Sequence, residues 1–287
     1  MGKKIILTFD LEFWYNSEFL KKYLPNNQER LKDYVPEAIF PLLELLKKFN
    51  IKATFFVLGK VAEKYPEIIK KISSEGHEIA SHGYSHRTLN SLDQEEFEKE
   101  IRLSVELLEK ITGKKPIGFR APDFTLSNKT KWVLEILGKY GFKYDSSIFP
   151  FKTQLYGSLK APLGIYKISK ENVFEVDNNS KITEFPLAVY KKAKIRIPVG
   201  GGFYFRFIPF LLYKIFLKSV QKERPIVLYI HPHELYNFIP DIKAPFWKIK
   251  LKYWKVNKSL EKLERLLRSF KFTSVENYIN ENQYDEI

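Results

Sequence analysis

An α/β fold built on a parallel sheet is what this sequence predicts. Three observations point to it. A charged amphipathic helix followed by a short apolar strand recurs before residue 150: "VPEAIFPLLELLKKFN" leads into "IKATFFVLG", "AEKYPEIIKKISSEG" into "HEIASHG", "LDQEEFEKEIRLSVELLEKITG" into "PIGFRAP", and "SNKTKWVLEILGKYG" into "FKYDSSIF". Gly76, Gly113 and Gly141 stand where a left-handed helix cap is wanted. The polar residues that interrupt the apolar strands all come at their carboxyl ends, where parallel α/β folds bind ligands. Periodicity leaves an open sheet and a closed barrel equally available.

Taken in order, "LTFDLEFW" (7–14) reads as a buried strand that ends in two acids, Asp10 and Glu12. Ser91 with Gln94 can form a capping box at the start of the third helix. After residue 150 the rhythm loosens. "VFEVDNN" and "KITEFPLAVY" read as strands, "IPVGGGFYF" as a glycine turn, 208–222 as a helix, and "PIVLYIH" as another buried strand. The tail "NKSLEKLERLLRSFKFTSVENYI" reads helix, strand, short helix. No Pro/Gly/Ser-rich linker divides the chain, so a single domain over 1–287 is expected, with a core to about 235 and 236–287 packed on it as an extension.

Composition narrows the function classes. With 287 residues, 44% of them hydrophobic, the chain can bury a sizeable core. It has no cysteine, which rules out disulfides and thiolate metal sites. A metal must therefore use imidazole, carboxylate and water. Five histidines exist, and four fall in two tight pairs: His82 with His86, and His231 with His233. The net charge of +14 comes from lysines scattered along helices rather than massed in one arm, so a solvated surface is expected and not a nucleic-acid groove. The basic, then apolar, start is broken by Asp10 and does not read as a signal peptide. No apolar run reaches the roughly 18 residues of a membrane span. A cytoplasmic protein is the expectation. Peripheral contact of the basic surface with a membrane, self-association, and the apolar segment 207–222 resting on a membrane are left open, although a core-packed helix suits that segment better.

The strand ends carry the chemistry. His82 and His86, four apart, can turn both rings to one side, and a carboxylate from Glu12 or Asp10 would complete a site for zinc or a similar divalent ion. Asp10 and Glu12 share one face of an extended strand, so a cation between them would relieve their repulsion. Arg120 can hold Asp10 ionised. His231 closes an apolar strand and can donate a proton near neutral pH. Trp14, Tyr84 and Phe124 suit ordinary core packing or, at a polar rim, a sugar ring.

"TFDLE", "SHGYSH", "FRAP" and "YIHPHEL", in this order, resemble the polysaccharide deacetylases of the NodB-homology type, carbohydrate esterase family 4. The subgroup with an acid two residues after the aspartate is the nearer likeness, supported by "TFFVLG", "YDSSIFP", "GGGFYFR" and "FKFTSVENYI". The resemblance covers nearly the whole chain. It implies a distorted (β/α)7-type barrel with an elaborated C-terminal half, and removal of N-acetyl groups from a glycan or lipid-linked amino sugar with one divalent ion, zinc first. Carried over, Asp10 matches the general base, Glu12, His82 and His86 the metal ligands, Arg120 the residue that orients the base, and His231 the general acid. Trp14, Tyr84, Pro122, Asp123 and Asp145 are the candidate substrate contacts. Three departures stand out. The metal carboxylate is a glutamate two residues on, Asp123 replaces the usual aromatic, and the usual aspartate–tryptophan support for the catalytic histidine is not recognisable. A hydrolase of small cyclic amides on the same scaffold, and a catalytically silent glycan- or membrane-binding protein, are the alternatives.

Overall fold

The computed structural model describes residues 4–153 and 156–282. The elements are β1 (Ile5–Leu11), α1 (Val35–Lys48), β2 (Thr54–Val57), α2 (Gly59–Lys64), α3 (Pro66–Ser74), β3 (Glu78–Ser81), α4 (Gln94–Thr112), β4 (Gly118–Phe119), α5 (Val133–Lys139), β5 (Tyr144–Asp145), β6 (Tyr166–Lys167), β7 (Thr183–Glu184), β8 (Val189–Lys192), β9 (Ile195–Pro198), α6 (Gly202–Phe207), α7 (Phe210–Glu223), β10 (Ile226–Ile230), α8 (Phe246–Lys252), α9 (Ser259–Leu267), β11 (Phe272–Thr273) and α10 (Val275–Asn282). The main sheet has the order β10-β1-β2-β3-β4-β5-β7-β6, all parallel until the antiparallel β6. β11 adds to β1 at Ile5 and Ile6, before β2 takes over that edge at Thr8.

Every residue of β1 is buried, because β10 covers one edge, β2 and β11 the other, and helices and barrel interior the two faces. That is why the strand reads as an unbroken apolar run, not an alternating one. The sheet curls into a barrel. Between β7 and β10 the wall is completed by loop backbone: Ala188 N donates to Val227 O (3.0 Å), and Tyr229 N donates to Gly200 O (2.7 Å). Gly200 is needed there, since a Cβ would come within 2.6 Å of Ala188 N. The expected (β/α) barrel with an elaborated second half is the observed architecture.

Local details differ from expectation at three places. α4 is capped by Asp93, whose side chain accepts from Glu96 N (2.8 Å) while Glu96 reaches back to Asp93 N (3.1 Å). Ser91 instead lies in a 3-10 turn over Leu89–Ser91, so the capping box sits two residues later than the Ser91–Gln94 pair. "VFEVDNN" forms no strand. It makes a turn with one isolated bridge between Ile168 and Val176, stabilised by Asn172 and Ser169 side chains. The helix expected at 208–222 runs from Phe210 to Glu223 and buries Tyr213, Leu217 and Val220, but leaves Leu211 and Ile215 exposed. It is packed on one side only. Gly76, Gly113 and Gly141 take the left-handed cap conformation, with φ of 81°, 72° and 80°.

Candidate metal centre and active site

The carboxyl ends of β1, β3, β4 and β10 converge on one cleft, lined among others by Asp10, Glu12, His82, His86, Asp123, His231 and Glu234. Ligand atoms of Glu12, His82 and His86 lie within 4.8 Å of one another. His86 Nε2 is hydrogen-bonded to Glu12 Oε2, and His82 Nε2 is 3.5 Å from the same oxygen. His82 Nδ1 is 2.8 Å from the carbonyl of Arg120, which can only accept. The proton therefore sits on Nδ1, and Nε2 presents its lone pair to the centre. Two imidazole nitrogens and one carboxylate oxygen, all buried, with one ring already held by its other nitrogen, fit a divalent ion of the zinc type.

The histidines come from a loop and not from a helix. His82 continues from β3, its N–H bonded to Val57 O (3.0 Å), and His86 adopts φ of +63°. That conformation is uncommon for a residue with a Cβ and is kept only where the surroundings impose it. Here Glu100 on α4 imposes it: its carboxylate accepts from Tyr84 N (3.0 Å), Ser85 N (2.8 Å) and Ser85 Oγ (2.6 Å). The first turn of α2 also donates, Gly59 N to Gly83 O and Lys60 N to Tyr84 O, both at 2.9 Å. Tyr84 lies so close over Gly59 that a Cβ there would meet its ring at 2.3 Å. Glu100 carries no local sequence signal, because a glutamate on a helix face looks the same whether it meets water or a loop.

Asp10 is buried beside Arg120, which is fully enclosed. Arg120 Nη1 donates to Asp10 Oδ1 (2.6 Å) and Thr8 Oγ1 (2.9 Å), Nη2 to Ser146 Oγ (2.7 Å), and Nε to Ser146 O (2.9 Å). Its guanidinium lies 4.0 Å from the centre of the Phe56 ring. Four of its five N–H groups thus have acceptors in a fixed planar fork, which a lysine could not reproduce.

Burial works against charge throughout the cluster, and the partners reverse it. Burial tends to raise Glu12, but His86 and His231 hold its carboxyl well below the usual range. Burial tends to lower His86, yet Glu12 pushes it up to about 9. His231, with Nε2 3.4 Å from Glu12 and Nδ1 3.2 Å from Glu234, is likewise raised above its ordinary value despite burial. Glu234 is in turn paired with Arg206 (2.6 Å), and Arg206 Nη2 donates to Lys252 O (2.8 Å). An Arg206–Glu234 pair therefore stands behind His231, in the place where an aspartate–tryptophan support was looked for. Gly202 makes the approach possible, since a Cβ would lie 1.9 Å from Glu234 Oε2. The spacing of His231 and Glu234 across Pro232 is a capping-box spacing, and it is the one signal that could have disclosed Glu234.

Among the candidate substrate contacts only Asp123 lines the cleft. It has φ of +52°, burial raises its carboxyl, and Oδ2 is enclosed with no hydrogen-bond partner among the described residues. Trp14 is buried with its indole N–H bonded to Lys32 O (2.9 Å) and packs edge-on against Phe238, so it belongs to the core. Tyr84 packs on Gly59 and Pro122 is buried behind the cleft wall. Asp145 is enclosed one layer down, accepting from Ser147 N (3.0 Å) and Ser147 Oγ (2.6 Å). Ser147 Oγ accepts in turn from Ala121 N (2.7 Å), so Asp145 braces the Arg120 segment and does not face a ligand. Burial raises both Asp145 and its cross-strand partner Glu184, Glu184 well above the ordinary range. His233 is buried and stacks on His231 with ring centres 5.0 Å apart. His77 lies at the other end of β3, accepting from Ala53 N (3.2 Å).

A curled parallel barrel with an imidazole–carboxylate cluster and a buried Asp–Arg pair at its carboxyl rim defines a class of fold and site. Residues 2–144 of the chain belong to the polysaccharide deacetylase family, whose model they match; residues 146–280 match a domain of unknown function, DUF3473. It is similar to a peptidoglycan deacetylase of Helicobacter pylori, 34% identical over 155 residues that make up 52% of this chain and 51% of that one. It is also similar to a peptidoglycan-N-acetylglucosamine deacetylase of Bacillus cereus, 42% identical over 95 residues, 33% of this chain and 34% of that one. The chain thus spans about half, or a third, of these curated relatives. A crystal structure described as a putative polysaccharide deacetylase from Mycobacterium smegmatis superposes with a TM-score of 0.62 at 19% identity, over 100% of this chain and 93% of that one, and shares the fold.

Proposed function

We propose that the protein is a metal-dependent hydrolase that removes N-acetyl groups from the amino sugars of a glycan or lipid-linked sugar. The observation that carries this reading is the meeting of Glu12, His82 and His86 beside an Asp10 held by Arg120. The names of the curated relatives support the substrate class. Glu12, His82 and His86 would hold the ion, with zinc suited to the donor set. When bound, such an ion polarises the amide oxygen and makes a water nucleophilic near neutral pH. Asp10 takes the proton of the attacking water, and Arg120, bonded to Asp10 Oδ1, orients it for that task. Backbone N–H groups near Asp123 help to hold the charge that develops on the amide oxygen. His231, raised above its ordinary value beside Glu12 and Glu234, delivers a proton to the leaving nitrogen. An amide needs this step, because an unprotonated amine anion is a very poor leaving group. The enclosed Asp123 carboxyl would meet a sugar hydroxyl.

The test is acetate release from N-acetylated chito-oligosaccharides, peptidoglycan fragments and lipid-linked sugars, with zinc added to metal-stripped protein. Asp10→Asn should lose turnover by about a thousandfold or more and keep one equivalent of metal, whereas His82→Ala should lose both. Equal metal loss in the two variants overturns the division of roles between Asp10 and Glu12. Hydrolysis of a cyclic amide without acetate release overturns the substrate class.

A further inference from the structure

Many of the large exposed apolar side chains lie on α7, α8 and the residues beside them, among them Leu211 (72% exposed), Ile215 (61%), Phe246 (78%) and Trp247 (60%); Ile195 and Val176 are exposed elsewhere. The patch is continuous with the cleft. Phe203 in the cleft wall stacks on Phe207 with ring centres 5.3 Å apart, and Phe207 meets Trp254 at 6.2 Å. Trp247, Leu251 and Trp254 recur at helical spacing, and Leu251 also lines the cleft.

Its charge is predominantly positive, with Glu223 at the end of α7 and Asp241 and Glu261 beside the α8 segment. Residues 242–260 contain six lysines and no acid, and residues 206–222 contain three lysines, one arginine and no acid. The lysines interleave with the aromatics: Lys250 lies 5.9 Å from the Phe246 ring, Lys248 5.4 Å from Trp247, and Lys255 5.7 Å from Trp254. A second copy meeting this face through a two-fold axis would bring lysines against lysines, which disfavours that occupant. Exposed tryptophan, phenylalanine and leucine ringed by lysine is the composition of a helix lying in the headgroup region of an anionic bilayer.

We infer that the face formed by Phe207, α7 and α8 docks on an anionic lipid bilayer and sets the mouth of the cleft against the headgroups. Docking does not depend on the chemistry of the cleft, so the two readings fail separately. The test uses the full chain with vesicles of phosphatidylcholine alone and of phosphatidylcholine with about one third phosphatidylglycerol. Co-sedimentation with the anionic vesicles, a blue shift of tryptophan emission, and release by salt are expected. The triple variant Leu211→Ser, Ile215→Ser, Trp247→Ser should bind at least about tenfold more weakly, as should Lys243→Gln, Lys250→Gln, Lys255→Gln. Both should keep the far-ultraviolet circular dichroism and melting temperature of the parent. Binding that is indifferent to both sets of substitutions overturns the proposal. So does a soluble dimer that the serine variant converts to a monomer.

Discussion

Arg120 and Asp10 show how much one buried pair is asked to do. The guanidinium satisfies Asp10, Thr8 and Ser146 at once, and its removal would leave a carboxylate enclosed and uncompensated. Arg120→Met should therefore destabilise the protein by about 3–5 kcal/mol in denaturant unfolding, besides lowering turnover. A change near zero would mean that Asp10 already has another partner. His86 makes a second prediction at this scale. Its folded pKa of about 9 lies above the ordinary 6.5, so in metal-free protein its stabilising pairing with Glu12 is complete below about 6.5 and fades as pH rises toward 9. A metal must displace that proton. Metal affinity should rise by about tenfold per pH unit up to about 9 and then level off. Isothermal titration across that range checks it, and a flat profile would mean that His86 is neutral before the metal arrives.

At the scale of elements, two loops place the histidines and each is tied to a helix. The 82–86 loop hangs on Glu100 of α4 and on the first turn of α2, while His231 leans on Glu234 and Arg206 of α6. The orientation of α4 thus bears on the metal centre, and its N-terminus is secured by Asp93. Asp93→Ala should cost about 1 kcal/mol of stability, and Ser91→Ala markedly less, although the spacing of Ser91 and Gln94 suggested otherwise. Paired thermal melts decide between them. The segment "SLDQEE" holds two overlapping S/T/D-x-x-E/Q frames, Ser91–Gln94 and Asp93–Glu96. Only the backbone path after Leu89 selects the second.

Over the whole molecule, the boundary between the two family matches at residues 144–146 cuts through one sheet. β1, in the first half, has β10 and β11 of the second half as neighbours. Glu78, raised to about 7 chiefly by burial, is satisfied by Thr54 and Tyr144 and by the N–H of Glu276 on α10 (2.8 Å). We propose on these grounds that the chain works as a single catalytic unit, with the C-terminal part needed by the first half. Residues 1–145 expressed alone should be unfolded or aggregated by circular dichroism, because an apolar edge of β1 would be bare. A cooperative melt of that fragment would refute the single unit.

The alternation of helices and strands, and the placing of Asp10, Glu12, His82, His86, Arg120 and His231 at strand ends, were legible from residue order alone. They depend on local periodicity and on the rule that parallel strands deliver their carboxyl ends to one rim. The family resemblance added the barrel and the roles. Tertiary structure alone decided that Trp14 and Asp145 belong to the core, that Glu100, Glu234 and Arg206 hold the loops carrying His82, His86 and His231, and that α7 keeps an exposed apolar face. Those outcomes turn on which side chains meet between separate loops, strands and helices, or on which face of a helix finds a partner. A glutamate on a helix, or a tryptophan after a strand, has the same local sequence whether it is enclosed or free. Packing and desolvation between distant segments separate the two cases.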